Sequence, residues 1–317
     1  MSVRPTLTRA SVLIAAGLAA ALTLSACGSS SDPLATSSTA SAAASGSGSA
    51  SGGSIVIGSA NFPESALIAN IYAAALKAKG VDASTNLNIG SREIYLKALQ
   101  DGSIDLVPEY SGVLLQYFDP TATAVSSDDV YTALVAKTPS GLKVLTKSAA
   151  EDKDAVVVTK ATADANNLKS IADLAPVAST FILGGPPEWA TRPTGVPGLK
   201  EKYGLTFKEF KALDAGGPLT LGALTSDQIQ AGNLFTTDPS IPANDLVVLE
   251  DPKNLFAAQN VLPLINAAKS NPQVEAALDA VSAKLDTATL TELLTKVQVD
   301  KEDSAQVAQE WVAANLQ

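Results

Sequence analysis

Apolar residues recur along the chain in two alternating patterns. Short runs of β-branched and aliphatic residues are each followed by a stretch in which apolar side chains return every three or four positions. Residues 55–57, Ile-Val-Ile, predict a buried strand, and Leu67, Ile71, Ala74 and Ala78 predict a helix that Gly80 ends. Between them Asn61 stands as a helix cap, Glu64 completes a capping-box pair, and Pro63 is tolerated in the first turn. A second strand is expected over 82–87, then a helix over 91–100 with Ile94 and Ala98 on one face and Asp101-Gly102 as its stop. A third strand over 104–107 ends at Pro108 and presents Glu109, Tyr110 and Ser111. The βαβαβ order implies parallel strands, whose carboxyl ends meet helix amino termini at the edge where small ligands bind.

Beyond this block, residues 127–137 predict an amphipathic helix capped by Ser126 or Ser127, with Asp128 and Asp129 in its first turn. The alternation then begins again. Strands are expected over 155–159, 180–183, 207–213 and 233–236, helices over 168–174, 198–203 and 219–231, and a further extended run over 246–249. A last strand over 260–265 precedes a set of helices over 274–316, separated by Asp286 and Asp300. Two α/β units joined by extended crossings near Asp154 and near Asp251 would make a bilobal protein with a cleft and a hinge.

The first 53 residues fall outside this pattern. Arg4 and Arg9 precede an apolar run over 10–24, too short and too early for a membrane span of ~20 residues, and it closes on Leu24-Ser25-Ala26-Cys27. This is similar to the lipobox of bacterial lipoproteins, which implies a leader at 1–26 that is cut away and a lipid on Cys27. Residues 27–53, nearly all Gly, Ser, Ala and Thr, are expected to form a flexible tether with a reach of roughly 30 Å.

Composition narrows the chemistry. The 317 residues are 46% hydrophobic, enough for a sizeable core and about two domains. The net charge of −10 becomes −12 once the leader takes its two arginines with it, a balance that argues against a nucleic-acid partner. There is no histidine, and Cys27 is the single cysteine. Histidine-dependent triads, cysteine nucleophiles, internal disulfides and nearly all zinc sites are therefore excluded, and neither a metal nor a cofactor is expected. Glu109 and Asp238 could be imagined as paired carboxylates for acid–base chemistry, but nothing else in the sequence supports catalysis.

Five blocks, beginning IVIGSANFPES, GSREIYLKALQ, RPTGVPGLKEK, ALTSDQIQAGN and LVVLEDPKNLF, resemble in order the substrate-binding proteins of ABC importers for glycine betaine, carnitine and choline. The resemblance covers essentially all of 54–317. It implies an α/β, two-lobed type II periplasmic-binding-protein fold, with 54–154 plus 252–317 as one lobe, 155–251 as the other, and a hinge and cleft between them. In that family aromatic rings cage a quaternary ammonium group by cation–π attraction, while basic and polar groups hold its carboxylate.

Tyr110 matches a cage tyrosine, and Arg192 matches the carboxylate-binding arginine, whose fork suits a carboxylate. Asn61, Phe62, Ser111, Trp189, Phe235, Thr236, Thr237, Asp238 and Gln259 complete the candidate ligand set. For Asn61 and Asp238, capping and turn roles compete with ligand contact, and Phe62 and Phe235 could be ordinary core. The chain departs from the family at Ala60 (often lysine), Val113 (often threonine), Phe235 (usually tyrosine) and Gln259 (roughly at another cage tyrosine), so a cage with fewer aromatic walls is expected.

The expected function is an extracytoplasmic solute receptor rather than an enzyme. It would be a membrane-anchored monomer that hands an osmoprotectant, or another small polar solute, to an ABC permease. A sensory or scavenging lipoprotein is the alternative. An enzyme of this fold such as hydroxymethylbilane synthase carries its cofactor on a cysteine near the carboxyl end, and this chain has none after Cys27.

Overall fold

The strands build two five-stranded sheets in a computed structural model that describes residues 53–316. The expected leader, the lipidation expected at Cys27 and all of the expected tether except its last residue lie outside the described residues. The first lobe begins with β1 (Ile55–Ala60), α1 (Pro63–Ala78), β2 (Ala83–Gly90), α2 (Arg92–Asp101) and β3 (Leu106–Tyr110), followed by α3 (Ser111–Phe118), α4 (Ser127–Lys137) and β4 (Leu142–Val144). The second lobe holds β5 (Asp154–Thr159), α5 (Lys160–Asn166), β6 (Ile182–Gly185), α6 (Val196–Tyr203), β7 (Glu209–Ala212), α7 (Pro218–Thr225), β8 (Ala231–Phe235), α8 (Ser240–Ala243) and β9 (Leu246–Val248). The chain then returns to the first sheet as β10 (Val261–Asn266) and finishes with α9 (Pro272–Ser282), α10 (Thr287–Gln298) and α11 (Ser304–Asn315).

The sheet orders are β2-β1-β3-β10-β4 and β7-β6-β8-β5-β9. Strand β1 runs parallel to both β2 and β3, as βαβ crossovers require, whereas the returning β10 is antiparallel to β3 and β4. The second sheet repeats the scheme, with β6 parallel to β7 and β8, and β5 antiparallel to β8 and β9. The two crossings, 145–153 and 249–260, run beside each other. Glu151 pairs with Asn260, and the Asp152 N–H donates to the Gln259 carbonyl at 3.1 Å.

Each sheet has its own core. Leu67, Ile68, Ile71 and Leu76 of α1 are buried between the first sheet and the C-terminal helices, against Val274, Leu278, Leu290 and Trp311. Burying each such side chain contributes about 1.5–3 kcal/mol. In the second lobe Val156, Val158, Leu183 and Ala231 pack with Trp189, whose ring stacks on Phe256 at 6.4 Å.

Several boundaries differ from the sequence expectations for identifiable reasons. Strand β3 runs on through Pro108 to Tyr110 because Pro108 sits opposite Pro263, placing two residues without an N–H across from one another. The chain enters helix α3 at once, an element that periodicity did not signal. The N-cap of α1 is Phe62, without a side-chain hydrogen bond, so Asn61 does not cap the helix and Glu64 is free for another role. Ile94 is 55% exposed, and the buried face of α2 is Arg92, Tyr95, Leu96 and Leu99. The helix expected over 168–174 is a short 3-10 turn there, with α5 placed earlier where Thr159 caps it. Helix α7 stops at Thr225, well short of 231, ahead of a left-handed Asp227 (φ 56°).

Candidate functional site

The carboxyl ends of β1, β3 and β8 converge on a cavity of about 60 Å3 between the sheets. Because β5 is antiparallel to β8, its first residue Asp154 pairs with Phe235 and reaches the same edge. Five aromatic residues line the cavity: Phe62 after β1, Tyr95 from α2, Tyr110 at the end of β3, Trp189 from the turn Pro187–Ala190, and Phe235 at the end of β8. The Phe62 ring lies 5.0 Å from Phe235 and 6.0 Å from Tyr110, so aromatic contact crosses from one lobe to the other. Trp189 is among the candidate residues, and Tyr95 is a further ring that the sequence did not single out.

A second contact between the lobes is polar. Glu64, buried in the first turn of α1, accepts from the Tyr110 hydroxyl at 2.7 Å and from the Thr237 hydroxyl of the second lobe at 2.5 Å. Asp152, in the first crossing, accepts from the Thr237 N–H at 3.1 Å and the Thr236 hydroxyl at 3.2 Å. Burial pushes both carboxyls up, opposed at Glu64 by the hydroxyl donors and reinforced at Asp152 by the charge of Glu64.

Two arginines face the cavity, and both are already paired. Arg92 gives Nε and Nη2 to the two oxygens of the fully buried Glu109, each at 2.9 Å, and Tyr95 donates to the same carboxylate at 2.7 Å. Arg192 reaches across the cleft to Glu93, with contacts of 3.0–3.2 Å, and lies 3.7 Å from Glu188. Burial pushes the Glu93 carboxyl up, but hydrogen bonds from Arg192 and Ser91 hold it down at about 2.

Of the residues expected at the site, Tyr110, Arg192, Asn61, Phe62, Trp189, Phe235 and Gln259 line the cavity. Gln259 also accepts from the Val113 N–H at 3.0 Å, tying the second crossing to the first turn of α3. Ser111, Thr236, Thr237 and Asp238 do not line it. Ser111 donates to the Ala258 carbonyl and accepts from the Asn260 N–H, Thr236 and Thr237 belong to the seam, and Asp238 accepts from the Ser240 N–H at the start of α8. Sequence reasoning missed Arg92, Tyr95, Asp152, Asp154 and Asn233. The signals were present: an arginine and a tyrosine three apart on the buried face of a helix, an acidic run leading into a strand, and an asparagine inside the apolar strand AGNLF. Among the described residues no cluster of three His, Cys, Asp or Glu could hold a metal ion.

Two α/β lobes joined by paired crossings, with an aromatic and acidic pocket where they meet, define a two-lobed solute-binding protein. Residues 53–314 match the family described as the substrate binding domain of the ABC-type glycine betaine transport system, and the chain belongs to that family. Its members are transport proteins that bind substrate, not enzymes. Among relatives, the glycine-betaine-binding protein of Pseudomonas aeruginosa is 27% identical over 272 residues, covering 81% of this chain and 86% of that one. The glycine betaine-binding protein YehZ of Escherichia coli K12 is 26% identical, covering 81% and 89%. A solved structure titled as a glycine betaine/carnitine/choline ABC transporter shares the fold at a TM-score of 0.65, with 22% identity over 82% of this chain and 98% of that one.

Proposed function

We propose that this chain is the extracytoplasmic receptor of an ABC importer, anchored by a lipid on Cys27, that captures a small quaternary ammonium solute of the glycine betaine, choline or carnitine type. The observation that carries the reading is the interlobe cavity, where rings from both lobes stand beside the carboxylates of Asp152 and Asp154. A quaternary ammonium group offers no N–H donor, so a receptor must hold it by π faces and negative charge. Each well-placed ring contributes about 0.5–2 kcal/mol in a desolvated site. Phe62, Tyr95 and Tyr110 come from one lobe and Trp189 and Phe235 from the other, so the full set acts only when the lobes are together. The ligand shifts the population toward the closed form, and the permease reads closure.

In this reading the moving bodies are 54–154 with 252–317, and 155–251, and the tether over 27–53 lets a monomer reach its permease. Family membership supports the transport role, and the lipobox supports the anchor. Calorimetric titration of the full chain in detergent with glycine betaine, choline, carnitine, ectoine and proline tests it. Saturable heat is expected with at least one of the three quaternary ammonium compounds. No heat from any of them would refute the reading.

A further inference from the structure

The charges around the cavity do not cancel evenly. Both guanidinium groups that could receive a ligand carboxylate are neutralised within the protein, Arg92 by Glu109 and Arg192 by Glu93. Among the described residues Asp154 makes no ion pair, although the charges of Arg192 and Arg92 act on it and offset part of what burial does to its carboxyl. Among the described residues its carboxylate takes one hydrogen bond, from the Asn233 amide at 2.9 Å, and the residue, half-buried, lines the cavity. Burial pushes this carboxyl up, so a cation seated beside it would favour its ionised form.

Two further groups on the same wall are unsatisfied among the described residues. The Asn233 amide turns its nitrogen to Asp154 and leaves Oδ1 without a donor, although the residue is 0% exposed. Trp189 is 1% exposed, and its Nε1–H has no acceptor. Buried polar atoms are nearly always paired, and both residues line the cavity, so the two orphans describe what a ligand there could add: an acceptor for Trp189 and a donor for Asn233. A hydroxyl supplies both.

We propose that this cleft selects an organic cation bearing a hydroxyl over a zwitterion bearing a carboxylate, with Asp154 as countercharge, Asn233 Oδ1 accepting the ligand's O–H and Trp189 Nε1–H donating to its oxygen. The proposal rests on the reading that the cleft binds quaternary ammonium solutes and adds a choice among them. A carboxylate-bearing ligand would meet Asp154 with no free guanidinium to hold it, and like charges at short range in a desolvated pocket disfavour binding.

The test is calorimetric titration of the full chain with choline and with glycine betaine, repeated on D154N. Choline is expected to bind at least tenfold more tightly than glycine betaine. D154N is expected to reduce that ratio at least tenfold, since it removes the countercharge and keeps the shape. Equal affinity, or a preference for glycine betaine, overturns the inference while leaving the transport reading standing. So does a D154N variant that weakens both ligands alike. No binding of either probe or of carnitine overturns the transport reading, and this inference with it. The ratio in the unaltered chain is decisive even if D154N does not fold.

Discussion

Replacing Arg192 with glutamine separates two roles for that side chain. The family resemblance makes it the receptor for a ligand carboxylate, whereas in the structure its guanidinium is committed to Glu93 across the cleft at 3.0 Å. The side chains of that pair are 23% and 45% exposed, so solvent screens it, and exposed pairs contribute about 0.2–1 kcal/mol. This energy is present only when the lobes are together, so it enters the ligand affinity through closure. A loss of up to about 1 kcal/mol corresponds to a dissociation constant weakened by no more than about fivefold. A direct charged hydrogen bond to a ligand carboxylate would instead be worth about 1.5–3 kcal/mol, or roughly ten- to 150-fold. The assay is calorimetry on R192Q, E93Q and the double variant at low and high salt. The latch role predicts a small loss for each single variant, shared between them in the double variant, similar for choline and glycine betaine, and reduced at high salt. A loss beyond tenfold confined to glycine betaine and insensitive to salt would refute it.

Three further outcomes follow from the site. Arg92→Met leaves Glu109 fully buried without its counterion and is expected to cost about 3–5 kcal/mol in urea unfolding, much of it recovered in the R92M/E109L double variant; a cost below about 1 kcal/mol for R92M would contradict the account. Burial holds the Glu64 and Asp152 carboxyls above their unfolded values, so the stability they contribute is fully present below the ordinary carboxylate range near 4 and is lost as pH rises through the raised values. Glu64→Gln keeps a neutral partner for Tyr110 and Thr237 and should flatten the dependence of the melting temperature on pH, so an unchanged profile would show that the seam does not titrate as described. At Gly195 a Cβ would lie 1.9 Å from the Trp189 carbonyl oxygen, a backbone atom with nowhere to go, so Gly195→Ala should displace the Trp189 turn, lowering both melting temperature and ligand affinity; unchanged values in thermal unfolding and calorimetry would show that the turn tolerates it.

The alternation of apolar runs and helical spacing carried most of the architecture, because each lobe buries its sheet under helices whose inner faces must be apolar. The three C-terminal helices separated near Asp286 and Asp300 emerged for that reason, with Asp286 and Asp303 as their caps. What sequence could not disclose was where buried polar residues go. Glu109 was placed just beyond a strand end at the ligand edge, yet it is fully buried and held by Arg92 and Tyr95 from the inner face of α2. Glu64 fitted a local capping box, but its partners are 46 and 173 residues away along the chain. Asp154 and Asn233 meet through the antiparallel pairing of β5 and β8, a register that neither strand encodes alone. Arg192 shows the same limit from the family side, since its position could be matched by resemblance and its commitment to Glu93 could not.

A crystal structure of the chain with choline shows whether rings from both lobes hold the ligand's ammonium group in the cavity between them. The quaternary nitrogen is expected within about 6 Å of the ring centroids of Phe62, Tyr110 and Phe235, with the two lobes in contact. Choline bound outside this cavity, or held by the rings of one lobe alone, would contradict it.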